Sequence, residues 1–271
     1  MPVDKPCVLV TGAGRGLGRA IADLFHDNGY HVVATDYDES LFADIAGQED
    51  YTTAALDVTS DAAADNVAAM IKADIGHLDV IVNNAGINSF YPVCEAPTQM
   101  TITAFEINTF GALRTIRACL DLLIESQGCV VNISSESAPL RTPFQSYASS
   151  KMALEALTDA MRRELIPKGV HIAIVRPGAI KTEMFGEIAH LKNAVENSRF
   201  DSDFGQYAKG VAKRVPKHPS PPADVAAVVY KAATDPKKKV LYKINNDFAL
   251  SVLSRLPTKF LDKLLVANRN A

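Results

Sequence analysis

The sequence predicts a single α/β domain, a doubly wound parallel sheet of about seven strands with helices on both faces. Short runs rich in Val and Ile alternate with longer helical patterns, which is the order that builds a parallel sheet. A glycine-rich turn separates the first strand from the first helix, where such sheets bind phosphate. The 271 residues are 48% hydrophobic and show no break in composition, so one domain is expected over residues 1–271.

The predicted strands are short, apolar and buried. They are expected at Cys7 to Val10, His31 to Ala34, Val80 to Val82, Cys129 to Ile133, Val170 to Val175 and Val240 to Ile244. Helical patterns occupy Asp61 to Ile75, Thr103 to Gln127 and Ala223 to Ala233. Glycine is the residue that most often ends a helix, and it is expected to do so at Gly29, Gly76, Gly128 and Gly169.

Two segments depart from the alternation of strands and helices. Residues from about 183 to 222 mix polar and apolar residues and end in four prolines, so they are predicted to be an insertion that covers the substrate. The tail from about 248 to 266 is amphipathic and is broken at Pro257. We interpret the tail as a lid or core-packing helix, with a membrane-surface or dimer contact as the alternative.

Composition and charge argue against several classes of protein. The net charge of -3 and a single short basic run, Lys237 to Lys239, give no field for nucleic acid. The four cysteines form no C-x-x-C pair and lie near no histidine cluster, so no metal site is expected. The N-terminus lacks a signal-peptide pattern, and no run of 18 apolar residues occurs, so we expect a cytoplasmic protein without a transmembrane segment.

The glycine-rich turn is predicted to bind a dinucleotide. It lies between the first strand and the first helix and follows the spacing T-G-x-x-x-G-x-G, with its glycines at Gly12, Gly16 and Gly18. Glycines let the backbone approach a pyrophosphate at the helix N-terminus, as in the Rossmann fold. The more common G-x-G-x-x-G spacing fails, because Leu17 and Arg19 occupy the positions where it requires glycine.

Two residues disagree about which nicotinamide dinucleotide binds. Asp36 is expected at the end of the second strand, where a carboxylate accepts hydrogen bonds from the adenine ribose and repels a 2'-phosphate. Arg15, inside the glycine turn, could instead attract that phosphate. We favour NAD over NADP, because Asp36 would contact the 2'-hydroxyl directly while an arginine can turn into solvent.

Tyr147 and Lys151 are four residues apart in a segment with a helical pattern, so both lie on one helix face. A tyrosine has a reference pKa of about 10, and its use as an acid and base near neutrality requires a pKa lower by roughly 3 units. A cation held nearby lowers it. The pair is therefore a candidate site of proton transfer.

With four motifs in order, the chain resembles the short-chain dehydrogenase/reductase family from about Val8 to Thr182. The motifs are the glycine turn, Asn83 to Gly86, Tyr147 to Lys151, and Pro177 to Thr182. The length and glycine spacing are similar to the compact branch of the family, and the tail is similar to that of hydroxysteroid and retinol dehydrogenases.

The resemblance implies a site residue by residue. It gives Tyr147 as general acid and base, Lys151 as the residue that lowers the tyrosine pKa and holds the nicotinamide ribose, and Asn108 as the anchor of a water linked to the lysine. The catalytic set is Asn108, Ser135, Tyr147 and Lys151. The cofactor set is Gly12, Arg15, Gly16, Leu17, Gly18, Asp36, Asp57, Val58, Asn84, Ala85, Gly86, Tyr147, Lys151, Pro177, Gly178, Ile180 and Thr182.

The catalytic serine is predicted to be Ser135, with Ser134 as the alternative. The usual family spacing of about 13 residues to the tyrosine gives Ser134, whereas the motif Asn132 to Ser135 places the catalytic serine second. Successive residues leaving a strand point to opposite faces, so only one of the two serines can face the nicotinamide. A loop shorter by one residue explains the difference in spacing.

The predicted activity is hydride transfer between NAD(H) and a hydrophobic secondary alcohol or ketone, such as a hydroxysteroid. Apolar residues after the serine, Pro139, Leu140 and Phe144, and the segment Met184 to Val215 are expected to hold this substrate. The alternatives are an NADPH-dependent carbonyl or 3-oxoacyl-type reductase and a dinucleotide sensor without turnover. The family resemblance also implies a homodimer or homotetramer.

Overall fold

Seven strands, all parallel, form one sheet in the computed structural model, which describes residues 4–181, 198–214 and 219–267. The strands are β1 (Cys7–Thr11), β2 (His31–Asp36), β3 (Tyr51–Ala55), β4 (Val80–Asn83), β5 (Cys129–Ile133), β6 (His171–Pro177) and β7 (Leu241–Ile244). Their order across the sheet is β3-β2-β1-β4-β5-β6-β7. This is the predicted doubly wound α/β fold. Because all strands are parallel, their carboxyl ends lie along one edge of the sheet.

Helices connect the strands and cover both faces of the sheet. They are α1 (Gly16–Asp27), α2 (Asp61–Met70), α3 (Thr98–Phe105), α4 (Gly111–Ala118), α5 (Leu120–Ser126), α6 (Ser146–Leu165), α7 (Asp201–Arg214), α8 (Pro222–Thr234), α9 (Phe248–Leu253) and α10 (Thr258–Ala267). A π-helical turn, Glu106–Phe110, joins α3 to α4. Among the described residues, no helix has the length and apolarity that a bilayer crossing needs.

The sheet separates two apolar layers. Along β1, Val8 and Val10 face one layer while Cys7 and Leu9 face the other, as the alternation of a strand requires. All of these side chains are fully buried, and the whole of β1 is covered on both faces. This double burial explains why the central strands read as continuous apolar runs in the sequence.

The winding of the chain reverses between β1 and β4. Strand β1 pairs with β2 on one side and with β4 on the other, so the loops that leave β1 and β4 run in opposite directions across the sheet. A crevice therefore opens beyond the carboxyl ends of these strands, and in open α/β sheets this is where ligands bind.

The structure corrects the predicted elements at three places. Strand β3 was absent from the predicted strands, because Tyr51–Ala55 lacks Val and Ile and only Tyr51 is buried. The helix predicted from Thr103 begins at Thr98, directly after Pro97. Gln127 rather than Gly128 takes the left-handed conformation (φ 51°) after α5, and Gly128 is required instead by the close approach of the Asp79 carbonyl.

The described C-terminal part of the chain is mainly helical, with one strand. The tail forms two helices, α9 and α10, on either side of Pro257, and β7 lies within the predicted strand. The predicted insertion contains helix α7, while residues 182–197 and 215–218 lie outside the described residues.

Candidate active site

The glycine turn packs tightly between β1 and α1. A Cβ atom on Gly18 would lie 1.8 Å from the carbonyl oxygen of Gly12, a distance that no side chain can occupy. Gly12 and Gly16 have φ angles of 64° and 57°, in the left-handed region that favours glycine. The three glycines of the T-G-x-x-x-G-x-G spacing are thus required by the backbone itself, and Leu17 between them is buried in the core.

Thr11 and Asn84 hold this turn against the end of β4. The Asn84 side-chain amide donates to the carbonyl oxygens of Thr11 and Gly12, each at 3.0 Å. In return, the Thr11 hydroxyl accepts from the backbone N–H groups of Asn84 and Ala85, each at 3.1 Å. The motif Asn83 to Gly86 therefore shapes the phosphate turn from the neighbouring strand.

Asp36 lies at the end of β2 with its carboxylate held by the backbone. One oxygen accepts from the Gly14 N–H at 3.0 Å and the other from the Tyr37 N–H at 2.9 Å. Arg15 is exposed. After the Ser40 hydrogen bonds, it contributes to lowering the pKa of Asp38, two residues after Asp36. The structure thus places an acidic and a basic group near the same turn.

The other predicted cofactor positions that the structure describes follow strand ends at the same sheet edge. Asp57 is exposed after β3 and accepts from the Thr59 hydroxyl at 2.7 Å, whereas Val58 is buried. Pro177 ends β6, and the Gly178 N–H donates to the Ile244 carbonyl. Ile180 forms an isolated bridge with Ser220, and Thr182 lies outside the described residues.

Tyr147 and Ser135 meet beyond the end of β5. Tyr147 lies in the first turn of α6 and is partly buried, which raises the pKa of its phenol. A hydrogen bond with the Ser135 hydroxyl opposes this rise. The same hydroxyl lies 3.0 Å from that of Ser137. The Ser135 hydroxyl therefore lies near enough to the Tyr147 phenol to lower its pKa.

Ser134 points into the protein instead. Its side chain is 1% exposed, and its hydroxyl donates to Glu155 Oε1 on α6 at 2.5 Å. The two adjacent serines thus face opposite ways, as consecutive residues at a strand end do. The geometry favours Ser135 over Ser134 as the residue that contacts a substrate.

Lys151 is buried one turn after Tyr147. Its Nζ donates to the Ile133 carbonyl at 2.8 Å and lies 5.9 Å from the centroid of the Tyr147 ring. Burial lowers the pKa of Lys151 to about 8, and Glu155 acts in the opposite direction. A Cβ atom on Gly86 would lie 3.5 Å from Nζ, so the backbone of the Asn83 to Gly86 motif approaches the lysine closely.

The buried charge of Lys151 should cost stability, and Lys151→Met tests this. Below pH 8 the folded protein carries the Lys151 charge in its interior. The lysine pKa is about 8 in the folded protein and 10.5 in the unfolded chain, and this difference lowers the free energy of unfolding by roughly 3 kcal/mol. We expect Lys151→Met to raise the free energy of unfolding by about 1–3 kcal/mol near neutral pH, after loss of one hydrogen bond. Urea denaturation of both proteins measures this difference.

The difference should close as the pH rises, because above pH 10.5 the lysine is uncharged in both states of the wild-type protein. Lys72→Met, which replaces an exposed lysine, is the control and should change stability little at any pH. Equal stability of wild type and Lys151→Met near neutral pH would contradict the buried charge.

Asn108 lies in the π-helical turn between α3 and α4. The wider turn directs its side chain inward, where it is 1% exposed. Its amide donates to the Ile87 carbonyl and the Ser150 hydroxyl, each at 3.0 Å, and its oxygen accepts from the Ile87 N–H. A Cβ atom on Gly86 would lie 3.1 Å from that oxygen, so Asn108 and Lys151 border the same backbone.

Several polar residues of the site were missed by the sequence analysis. Asn83 and Asn132 are neighbours in register on β4 and β5 and share a hydrogen bond of 2.8 Å. The buried Glu155 forms an ion pair with the partly buried Arg176, next to Ser134. In the sequence, each of these residues interrupts an otherwise apolar strand or helix face. Charged and amide side chains are rarely buried without partners, so such an interruption is the signal that indicates a polar contact.

An aromatic cluster borders the site on the side of the predicted insertion. Phe144, three residues before Tyr147, packs against Phe200, Phe204 and Tyr207 of the α7 region, with ring centroids 5.4–6.1 Å apart. Gln145 donates to the Tyr207 hydroxyl at 2.8 Å. This contact anchors α7 beside the proton-transfer residues. Within the described part of the chain, no group of three or more potential metal ligands occurs.

Comparison with known proteins gives consistent relatives. A profile of the short chain dehydrogenase family matches residues 6–193. The NADPH-dependent 3-dehydrocapnine reductase of Ornithobacterium rhinotracheale is 30% identical over 268 residues, which is 94% of each chain. Dehydrogenase/reductase SDR family member 7B of Mus musculus is 32% identical over 86% of this chain and 72% of its own. The crystal structure of a short-chain dehydrogenase from Streptomyces avermitilis, 30% identical, matches with a TM-score of 0.77 over 100% of this chain and 95% of that one.

Proposed function

Because the chain belongs to the short-chain dehydrogenase family, we propose that it transfers a hydride between NAD(H) and the carbinol carbon of a hydrophobic secondary alcohol or the matching ketone. The family makes it an NAD(P)-dependent oxidoreductase that acts on an alcohol or ketone. The choice of NAD and of a hydrophobic substrate is our proposal. One observation supports hydride transfer itself: Tyr147, Ser135 and Lys151 lie together at the carboxyl edge of the sheet.

The residues present fit a dinucleotide. The glycine turn has no room for a Cβ at Gly18, so it packs closely at the N-terminus of α1. Backbone N–H groups at a helix N-terminus stabilise a pyrophosphate. Asp36 would hold the adenine ribose, and Lys151 the nicotinamide ribose. When bound, the oxidised cofactor accepts the hydride and adds a positive charge beside the phenol.

In the oxidation direction, Tyr147 would take the hydroxyl proton of the alcohol. Burial keeps the pKa of the phenol high, so its phenolate needs nearby positive charge and hydrogen-bond donors. Lys151 supplies a charge 5.9 Å from the ring, and Ser135 supplies a donor that would also contact the substrate oxygen. Asn108 would hold the backbone beside Lys151 and a water that connects the lysine to solvent.

Asp36 supports the choice of NAD. Two backbone N–H groups hold its carboxylate at the end of β2, where it would accept from ribose hydroxyls and repel a 2'-phosphate. Arg15 and the NADPH-dependence named for the Ornithobacterium relative favour the second candidate, an NADPH-dependent carbonyl or 3-oxoacyl-type reductase. The two candidates differ in the cofactor that gives the higher kcat/KM.

Asp36→Ala should therefore relax the cofactor preference. We expect the ratio of kcat/KM for NADH over NADPH to fall at least about tenfold, because a repulsive carboxylate is removed from the 2'-phosphate position. Steady-state kinetics with both cofactors measure the ratio. Asp74→Ala, which removes an exposed carboxylate in the segment after α2, is the control. A ratio above one in wild type that Asp36→Ala leaves unchanged would contradict our assignment of Asp36.

The aromatic cluster supports a hydrophobic substrate. Phe144 places apolar rings beside Tyr147, and helix α7 of the predicted substrate-covering insertion packs on them. A panel of hydroxysteroids, aliphatic secondary alcohols and hydroxyacyl thioesters, each with NAD and NADP, tests the proposal. Faster turnover of apolar alcohols with NAD is the expected result. Preference for hydroxyacyl thioesters with NADP would favour the second candidate, and cofactor binding without any turnover would indicate a sensor.

Two further expectations remain proposals. A homodimer or homotetramer follows from the family, and light scattering of the purified protein measures it. A cytoplasmic location follows from the sequence pattern alone, and fractionation of cells that express the protein measures it.

A further inference from the structure

An ion pair between the buried Glu155 and the partly buried Arg176 lies next to the residues proposed to transfer the proton. Glu155 on α6 is 7% exposed and accepts three hydrogen bonds. One comes from the Ser134 hydroxyl at 2.5 Å, one from Arg176 Nε at 2.6 Å, and one from Arg176 Nη2. Arg176 lies on β6, so the carboxylate joins helix α6 to the ends of two neighbouring strands. Such a network is costly to bury unless every member has a partner.

This network and Lys151 hold the same short stretch of chain. Lys151 Nζ donates to the carbonyl of Ile133, and the next residue, Ser134, donates to Glu155. Glu155 follows Lys151 by four residues, so the two side chains lie on one face of α6. The Glu155 carboxylate also raises the pKa of Lys151 against the effect of burial. The carboxylate therefore acts on both the charge of the lysine and the backbone that the lysine contacts.

From this arrangement we infer that Glu155 is a positioning residue, which keeps the Lys151 ammonium charged and oriented and holds the end of β5 so that Ser135 faces Tyr147. This inference rests on the proposed function and deepens it. Glu155 itself would touch neither substrate nor cofactor. Arg176 balances the carboxylate from β6, and Ser134 serves as the link between Glu155 and the strand that carries Ser135.

The charges around Lys151 come from few elements. On α6, the Tyr147 phenol and the Glu155 carboxylate lie near Lys151. On the π-helical turn, the neutral Asn108 borders the same Gly86 backbone as Lys151. Strand β5 contributes the Ile133 carbonyl and the Ser134 hydroxyl. Strand β6 contributes Arg176, whose pKa is raised by Glu155 and, less strongly, by Asp159. Within the described residues, Glu155 is the acidic group that acts on Lys151.

The two members of the ion pair should therefore have opposite effects. Glu155→Gln removes the negative charge, so the pKa of Lys151 should fall by about one unit or more from its value of about 8. Arg176→Met leaves the Glu155 carboxylate without its other partner, so the pKa of Lys151 should not fall. A purely structural role would instead make both substitutions act alike, because each breaks the same ion pair.

The pKa of Lys151 can be measured by NMR titration of protein whose lysines carry ¹³C at Cε. The Lys151→Met variant identifies its resonance. The variants are Glu155→Gln, Arg176→Met and the double variant Glu155→Gln/Arg176→Met. The double variant buries no unpaired charge. Its comparison with Arg176→Met therefore reports on the loss of the carboxylate even where Glu155→Gln alone does not fold. Asp159→Asn removes an exposed carboxylate one turn further along α6 and is the matched control.

Kinetics give a second readout. In the oxidation direction, kcat/KM should fall at alkaline pH, where Lys151 loses its proton. This alkaline limb should lie at lower pH in the double variant than in Arg176→Met. It should stay unchanged in Asp159→Asn.

A lower Lys151 pKa in Glu155→Gln than in wild type, or in the double variant than in Arg176→Met, supports the inference. An equal pKa within either pair, or a fall of the Lys151 pKa in Arg176→Met, overturns it. The NMR titration needs no turnover, so it tests the role of Glu155 independently of the proposed function. Expected pKa shifts in a protein that oxidises no alcohol would overturn the proposed function and leave the role of Glu155 standing.

Discussion

Replacing Tyr147 with Phe is expected to lower kcat by about 10³-fold while leaving the affinity for NADH within about twofold of wild type. The phenylalanine keeps the ring that packs in the first turn of α6 but removes the hydroxyl that contacts Ser135. Without that hydroxyl, no group at this position can take or give the substrate proton. The measurement is steady-state kinetics together with cofactor binding followed by fluorescence.

A control distinguishes chemistry from packing. Tyr230→Phe makes the same change on α8, where the ring contacts Phe25 and Tyr30 far from the proton-transfer residues. This variant should keep its kcat within about twofold, as surface and packing changes of this size usually do. Undiminished turnover by Tyr147→Phe would show that another group transfers the proton.

Gly18→Ala is expected to weaken cofactor binding by about 10²-fold or more and to destabilise the protein by about 1–3 kcal/mol. The added methyl group would lie 1.8 Å from the Gly12 carbonyl oxygen and 2.5 Å from the Asn84 side-chain amide. Neither atom can move freely, because Asn84 holds the turn through two hydrogen bonds. The turn must therefore open, and the N–H groups that would bind the pyrophosphate lose their arrangement.

The matched control for this prediction is Gly205→Ala. Gly205 lies in helix α7, where a Cβ atom would meet nothing within 4 Å. The substitution should leave the Kd for NADH unchanged and should not lower stability, since alanine favours the helix. Isothermal titration with NADH and urea denaturation measure both properties. Tight NADH binding by Gly18→Ala would mean that the cofactor lies elsewhere.

The parts of the site that could be predicted are the parts that local spacing defines. The glycine spacing reflects contacts within one turn, and Tyr147 and Lys151 are one helical turn apart. Asp36 was placed at the end of β2 because the apolar run ends there. Each of these patterns joins residues close in sequence, so periodicity and turn chemistry are enough to find them.

The remainder depends on contacts between distant elements. Glu155 meets Arg176 across 21 residues, which requires β6 to lie beside β5 and α6 to pack on both. Asn108 turns inward because of a π-helical turn, and no sequence rule used above predicts that wider turn. Strand β3 forms because β2 offers it a partner along five residue pairs, while its own residues lack the apolar pattern.

The most direct test of the account follows the hydride itself. A secondary alcohol that carries deuterium on its carbinol carbon is incubated with NAD and the wild-type protein, and the reduced cofactor is analysed by mass spectrometry. We predict that the deuterium appears in the reduced nicotinamide, and that Tyr147→Phe transfers it about 10³-fold more slowly. Reduced cofactor without deuterium, or oxidised alcohol without reduced cofactor, would contradict hydride transfer at this site.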